Sequence, residues 1–408
     1  QGPNAAYLTD EIMNQGDELW DQAEAAVADR PAVLSRVRIA RMSLDYAMLA
    51  TAKRAITSPY RFEGDKYVAE VDPRFKARIQ RFATVSEQSG LTALSEGRAS
   101  PKEFVDRARL KGGDFSVITL AGEGLQARVV PDLGGRILSL SSSAEGPNLL
   151  SLGDQTAASY PANGGYAEAF GGGADGVGSA AQFRAEDVQQ TAEASLLKMT
   201  AEPEAGLRMT RTITVPRTGS TLRVASTMEN TRDAARPGGA RAELALDLGS
   251  TDEVTAVMPA AGDGAVFSLS LPEDQAEKQW SFTGEQIAGG LMLANHTTRR
   301  AIKLTPSGAA LERVWLRVNA RTSALSVAIQ TAGELPAGGN VTLTQQLEVL
   351  SDLSAVPQAQ HTGAKTHRAL TVVTQDDQMP LGRYGEWCWV EKDPKAEVTL
   401  FNKMLALP

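Results

Sequence analysis

The residues with the most chemistry to offer in this 408-residue chain are three histidines, one cysteine, a glycine-rich run and a scatter of aromatic and charged side chains. His296, His361 and His367 include no close pair, so the spacing for a metal site is missing, and the single Cys388 rules out a thiolate cluster and an internal disulfide. No metal and no cofactor is expected. His296, in Leu293-Ala294-Asn295-His296-Thr297, ends an apolar run beside a turn and reads as a turn histidine without an identifiable carboxylate partner. The run from Asn163 to Gly178 satisfies G-x-G-x-x-G at Gly171, Gly173 and Gly176. A pyrophosphate cradle needs a strand before the glycines and a helix N-terminus after them, and neither pattern is present. The run reads instead as a flexible loop, either plainly structural or presenting Tyr166, Glu168 and Phe170 to a ligand.

Aromatic faces for C–H groups and charged groups for hydroxyls are the side chains that grip sugars. Trp280, Trp315, Tyr166, Arg136, Glu168, Glu312 and Arg313 have that chemistry. Trp315 lies on the strand face opposite Val314, Leu316 and Val318, so it is either exposed or part of a second core. The substrate-binding candidates are Arg136, Tyr166, Glu168, Trp280 and Trp315, and no catalytic residue is assigned. Asp252-Glu253 and the pair Glu348 and Asp352 read as surface charge, because a glycosidase needs two acids facing each other across a bond.

These residues need elements to hold them. Residues 1 to about 112 read as helical: Pro31 opens a segment whose Leu34, Val37, Ala40, Leu44, Ala47 and Met48 share a face, and Asp72-Pro73 opens another with Phe75, Ile79 and Phe82. Ser100-Pro101-Lys102-Glu103 is a capping box, closed by Gly112-Gly113. From Phe115 the period changes to two. Strands are expected around Leu125–Val129, Leu207–Val215, Leu222–Met228, Ala242–Leu248, Ala265–Leu271, Ala301–Thr305, Val314–Val318, Leu325–Ile329 and Val341–Val349. Many short strands without interleaved helices predict an antiparallel sandwich. Pro357–Arg368 reads as a linker, and the last stretch holds strand-like runs at Leu370–Thr374, Glu386–Val390 and Glu397–Phe401.

Composition narrows the partners. A net charge of -8 repels phosphate backbones and excludes nucleic acid as an expected partner. No run of about 18 apolar residues is present, so no membrane span is expected. The chain opens on Gln1, which reads as a sequence whose natural start lies upstream.

Three stretches resemble known families. Gly2-Pro3-Asn4-Ala5-Ala6-Tyr7-Leu8, Ala23-Glu24 and Arg36 to Tyr46 resemble the helical region that follows the barrel in bacterial α-glucuronidase-like proteins of the DUF4838 type. That resemblance implies a glycoside-hydrolase context with a catalytic barrel upstream of Gln1, and an extracytoplasmic location. Val129-Val130-Pro131-Asp132-Leu133-Gly134-Gly135-Arg136-Ile137-Leu138-Ser139-Leu140 is similar to the opening hairpin of galactose-mutarotase-like domains, and Arg211-Thr212-Ile213-Thr214-Val215 and Val224 to Asn230 resemble their central strands. Such enzymes use a histidine acid and a glutamate base. Neither family histidine maps onto a position of this sequence, so the resemblance implies the fold without the epimerase activity. Gln375-Asp376-Asp377, Gly385-Glu386-Trp387 and Asp393-Pro394-Lys395-Ala396 are similar to the start of a jelly-roll module.

The expected architecture is α+β and mainly β: a helical segment over 1–113, a large antiparallel supersandwich over 114–356, a linker over 357–369 and a short β tail over 370–408. The expected function is that of an accessory, glycan-interacting region serving an upstream catalytic domain of the same polypeptide. A sugar-active enzyme of epimerase-like or lyase-like type and a structural scaffold are the alternatives, and the scaffold predicts a hollow face filled with apolar side chains.

Overall fold

The computed structural model describes residues 8–51, 58–94, 100–110, 113–153, 161, 163–171, 178–179, 181–237, 239–258, 265–308, 311–331, 333–359, 369–371 and 388–390. His361, His367, Trp387, Gly112, Gly173, Gly176, most of the expected linker and most of the β tail lie outside them, as does the side chain of Glu103.

Four helices come first. They are α1 (Asp10–Ala26), α2 (Pro31–Thr51), α3 (Pro73–Gln88) and α4 (Pro101–Leu110). The Thr9 hydroxyl accepts from the Ile12 amide at 3.3 Å and the Asp72 carboxylate accepts from the Arg74 amide at 2.9 Å, satisfying amides that the first helical turn leaves without partners. The expected stripe of α3 is buried as Phe75, Ile79 and Phe82, packed with Leu49 of α2 and Val105 and Ala108 of α4. The stripe expected on α2 is only part of the face it buries: Leu34, Val37, Leu44 and Met48 are half-buried. Ala40 is exposed, and α2 buries Arg41, Asp45, Ala47 and Leu49. The reason is charge: α1 and α3 bring Asp17, Arg78 and Arg81 against this face. Arg78 Nη2 meets Asp17 Oδ2 at 2.6 Å, Arg81 Nε donates to Asp45 Oδ2 at 2.8 Å, and Arg41 Nη1 reaches Asp21 at 2.7 Å and Glu24 at 2.8 Å.

The helical segment also contains a hairpin that its helical reading omits. Strands β1 (Arg61–Glu63) and β2 (Lys66–Val68) join through Gly64-Asp65, where Gly64 takes a positive φ of 59°. Strand β2 then pairs with β3 (Phe115–Ser116), across the expected boundary at 113/114.

The rest is β, and every strand pairing described is antiparallel. In chain order the strands are β4 (Ile118–Ala121), β5 (Gln126–Val130), β6 (Arg136–Ser141), β7 (Tyr166–Phe170), β8 (Arg184–Gln190), β9 (Ala194–Glu204), β10 (Leu207–Pro216), β11 (Thr221–Asn230), β12 (Arg236–Pro237) and β13 (Ala240–Leu246). They continue as β14 (Val254–Met258), β15 (Ala265–Ser268), β16 (Glu277–Thr283), β17 (Leu291–Asn295), β18 (Arg300–Gly308), β19 (Leu311–Asn319), β20 (Ala324–Thr331), β21 (Glu334–Leu335) and β22 (Asn340–Val349). The hairpin of β23 (Ala369–Thr371) and β24 (Cys388–Val390) is the described part of the tail.

Among the described residues two large sheets form the predicted sandwich. One has nine strands in the order β15-β14-β17-β18-β22-β11-β10-β9-β8, and the other has eight in the order β16-β19-β20-β13-β7-β6-β5-β4. Their facing sides interdigitate. Leu207, Met209, Ile213 and Val215 of β10, Leu222, Val224 and Met228 of β11, and Val314, Leu316 and Val318 of β19 all join one core. On the far side of β5 and β6, a second cluster of Tyr60, Tyr67, Phe115, Val117, Val130, Leu133 and Leu138 fastens the small β1-β2-β3 sheet to the outside of the eight-stranded one.

Candidate functional site

The outer face of the eight-stranded sheet is therefore divided: β5 and β6 are covered, and β7, β13, β20 and β19 are not covered by that small sheet. Residues directly opposite each other on neighbouring strands share a face. Trp315 stands opposite Ser281 on β16 and Ala328 on β20; Ala328 stands opposite Glu243 on β13, and Glu243 opposite Ala167 on β7. Because Ile137 pairs with Tyr166, one further step places Arg136 of β6 beside Ala167. The result is a single outward row, Trp315, Ala328, Glu243, Ala167, Arg136, perpendicular to the strands. At about 4.8 Å per strand, its two ends stand about 19 Å apart.

The side chains of this row and the next make a coherent surface. Ala167, Ala169 and Ala328 are small and form its floor. The Arg241 guanidinium lies 5.8 Å from the centroid of the Trp315 ring and meets Glu243 Oε1 at 2.5 Å. Gln330, opposite Arg241, donates to Glu312 Oε2 at 3.3 Å. Such a surface offers an aromatic platform, fixed donors and fixed acceptors, which is what ring stacking and hydroxyl recognition require.

Arg136 is anchored differently. Nη1 donates to the Gly164 carbonyl at 2.8 Å and Nη2 to the Ser179 carbonyl at 3.4 Å, while Nε is buried without a hydrogen-bond partner. Burial pulls its pKa down to about 10; the charge of Glu243 acts to raise it and that of Arg211 to lower it. At neutral pH the group is still a cation.

The turn that delivers Arg136 is fixed from inside the sandwich. After Pro131–Leu133 the chain passes through Gly134 and Gly135, both at positive φ. A Cβ on Gly135 would lie 2.9 Å from Arg211 Nη1, so this position needs glycine. Arg211 of β10 reaches across the core and donates from Nη1 to the carbonyls of Gly134 at 2.9 Å and Gly135 at 2.8 Å. Its Nε donates to Glu168 Oε2 at 3.1 Å and Ser226 Oγ at 3.0 Å, and Nη2 stands 3.0 Å from Glu168 Oε2. Phe183 lies 4.8 Å beneath the guanidinium. Tyr166 donates its hydroxyl to the other oxygen of Glu168. Burial, then the neighbouring negative charge of Glu168, pushes the Tyr166 phenol well above its ordinary pKa, so it remains a donor.

The five sequence candidates thus part company. Arg136 and Trp315 share the outward row. Tyr166 and Glu168 are on the inward face of β7, each about 1% exposed. The expected loop around them is a central strand with all five residues buried: Tyr166 and Phe170 join the core between the sheets, Glu168 faces the same way, and Ala167 and Ala169 are small enough to be buried on the outer side. Trp280 is also inward: it stands opposite Leu316, and its ring lies 5.7 Å from Phe267 of β15, closing one end of the sandwich. Arg241, Glu243 and Arg211 were missed by sequence reasoning. The signal for Arg211 was present, since it interrupts the inward stripe Leu207, Met209, Ile213, Val215 with a charge. The signal for Arg241 and Glu243 was not, because outward charges on a strand look ordinary until the strand is known to be central. His296 sits at the end of β17 in the other sheet, next to the turn whose Thr297 and Thr298 amides donate to Asn295 Oδ1 at 2.9 and 3.1 Å. Among the described residues no group of three or more His, Cys, Asp or Glu side chains gathers to hold a metal, and no helix is long and apolar enough to cross a membrane.

No protein-family model matches the sequence, and no curated protein matches it. Several solved structures are similar to it. A galactose mutarotase-like protein from Lactobacillus casei ATCC 334 is 15% identical with a TM-score of 0.43, over 58% of this chain and 100% of that one. The Slr1438 protein from Synechocystis sp. PCC 6803 is 14% identical with a TM-score of 0.46, over 58% of this chain and 96% of that one. A TPR-domain containing protein from Parabacteroides distasonis ATCC 8503 is 11% identical with a TM-score of 0.48, over 67% of this chain and 51% of that one.

Proposed function

We propose that the outer face of the eight-stranded sheet is a glycan-binding surface, and that this region serves as the carbohydrate-binding accessory of a glycoside-hydrolase-like catalytic domain in the same polypeptide. The observation that carries the reading is the outward row from Trp315 through Glu243 to Arg136, with Arg241 beside the tryptophan ring. A scaffold would fill this face with apolar side chains. Here the outward positions of β19, β13 and β6 carry an aromatic ring, two arginines and a glutamate instead. The spacing suits an extended chain of several sugars lying across the strands. The hydrolase context rests on the resemblance of Arg36 to Tyr46, within α2, to the helical region of α-glucuronidase-like proteins.

Affinity electrophoresis of the 408-residue chain in gels containing soluble polysaccharides tests the surface. Trp315→Ala is expected to weaken retention about tenfold or more, as loss of an aromatic anchor does, with an unchanged melting temperature. Trp280→Ala is the internal contrast: its ring packs between the sheets, so it lowers the melting temperature and leaves retention of the folded fraction intact. Unchanged retention in Trp315→Ala would remove this face from consideration.

A further inference from the structure

The paired helices α1 and α2 carry an apolar seam that the fold leaves open. On α1, Ile12, Gly16, Leu19, Ala23 and Ala26 follow one another at alternating steps of four and three residues, and on α2 so do Val33, Val37, Ala40, Leu44 and Ala47. That alternation is the heptad spacing of a helix that packs along its length on another helix. Gly16 lies beside Leu44, where a Cβ on the glycine would stand 3.3 Å from Leu44 Cδ2, and Glu24 pairs with Arg38 one and a half turns further on. The helices are therefore antiparallel and their two seams adjoin. Helices α3 and α4 pack elsewhere, against Met42, Tyr46 and Leu49, and no seam residue belongs to that core. Of the seam residues only Ala47 is buried; Ile12 is 51% exposed, Leu19 64% and Val33 38%. Scattered singly such residues are ordinary, but gathered on one face they form an interaction patch.

We infer that this face joins two copies of the chain in a four-helix bundle, about a two-fold axis parallel to the helices. Such an axis preserves height along the bundle and lays α1 of one copy antiparallel on α2 of the other. The Gly16 and Leu44 contact then sets the layers: Ile12 with Ala47, Gly16 with Leu44, Leu19 with Ala40, Ala23 with Val37 and Ala26 with Val33. Every layer couples a large side chain with a small one, which is the alternation that fills a bundle core. Charge selects the same axis. Helix α1 carries acidic residues and no basic one, whereas α2 carries Arg36, Arg38 and Arg41 against Asp45 alone. An axis perpendicular to the helices would set the acidic α1 on its own copy, and the parallel axis sets it on the arginines. Glu11, Glu18 and Arg36 are exposed and, among the described residues, enter no ion pair within the copy, so they remain for that contact. With α1 17 residues long, the face measures about 25 Å by about 20 Å, and two copies cover about 1,000 Å², the lower bound of a specific interface.

Sedimentation equilibrium of the 408-residue chain tests the pairing, and a dimer with a micromolar dissociation constant is expected. Leu19→Glu is expected to give monomers with unchanged helical circular dichroism, because Leu19 is exposed in a single copy and covered only in the pair. Ile39→Glu is the contrast: Ile39 is 44% exposed but lies off the seam, so its dimer should persist. Arg36→Glu sets an acid over the acidic α1, and symmetry counts the change twice, so the dimer should weaken about tenfold or more. A dimer strengthened by Arg36→Glu would overturn the arrangement of α1 on α2. A dimer that survives Leu19→Glu, or that Ile39→Glu breaks instead, would overturn the assignment to this face. A chain still monomeric at about 100 μM, well above the dissociation constant expected of such an area, would overturn the inference and give the face to another segment of the same polypeptide. Trp315→Ala should leave the mass unchanged, which keeps this result apart from that of the glycan surface.

Discussion

Arg211 and Arg136 are separated by one turn of chain and by a sheet. Gly135, whose carbonyl binds Arg211, is the residue before Arg136. Arg211 faces inward, and the protein supplies its surroundings: the carboxylate of Glu168, the hydroxyl of Ser226, two carbonyls and the ring of Phe183. Arg136 faces outward at the border between the covered and open parts of the sheet and receives two carbonyls. A buried charge with a carboxylate in contact shapes the fold. Arg136, among the described residues, has no carboxylate in contact and is held by backbone alone.

That contrast can be broken most forcefully on the inner side. Glu168→Gln or Arg211→Met each leaves the other partner of a fully buried pair uncompensated, and the expected cost is about 3–5 kcal/mol of unfolding free energy in urea titrations. The double variant Glu168→Leu/Arg211→Met removes both charges and is expected to recover much of that loss. It does not restore the grip on the Gly134 and Gly135 carbonyls, so glycan retention by the face that Arg136 borders should still decline. Single variants that lose less than about 1 kcal/mol would show that the inner pair does not hold the sandwich as described.

The helices offer a third arrangement, intermediate in effect. Asp17 and Glu24 have lowered pKa values: burial opposes ionisation, and Arg41 with Arg78 for Asp17, and Arg38 with Arg41 for Glu24, outweigh it. A carboxyl depressed on folding contributes stability at neutral pH that is lost as pH falls through its folded value. Helical circular dichroism is therefore expected to decline as pH drops below the ordinary values of 4.5 for Glu24 and 3.8 for Asp17. Asp17→Asn should weaken the helices at pH 7 and flatten this dependence. An acid titration identical in wild type and variant would separate the network from helix stability.

Much of the fold was legible because its strands are half-buried, and alternation in β10, β11 and β19 reports that directly. β7 was not legible, since a strand buried at every position loses its period, and the glycines around it look like loop. The hairpin of β1 and β2 carried a readable sign, the Gly64-Asp65 turn between Phe62 and Tyr67, but its strands are three residues each. Of the site, Trp315 was legible from its parity and Arg136 from its glycine turn. Their common row was not, because strand order in a sandwich is set by long-range pairing that no local pattern encodes. Strands β19 and β6 lie far apart in sequence and four places apart in the sheet.

The mildest change sharpens the comparison on the outer side. Glu243 is the carboxylate whose charge acts on Arg136, and its side chain is 53% exposed, held by an Arg241 that is 13% exposed. An ion pair of this kind contributes about 0–1 kcal/mol, so Glu243→Gln should hardly move the melting temperature. Its effect on recognition is expected to be small. For a neutral glycan the substitution exchanges one hydroxyl acceptor for another and should change retention little or weaken it slightly. A loss of retention as large as that of Trp315→Ala would mean that Glu243 is a principal grip on hydroxyls and that Arg241 cannot hold its place beside the tryptophan ring without it.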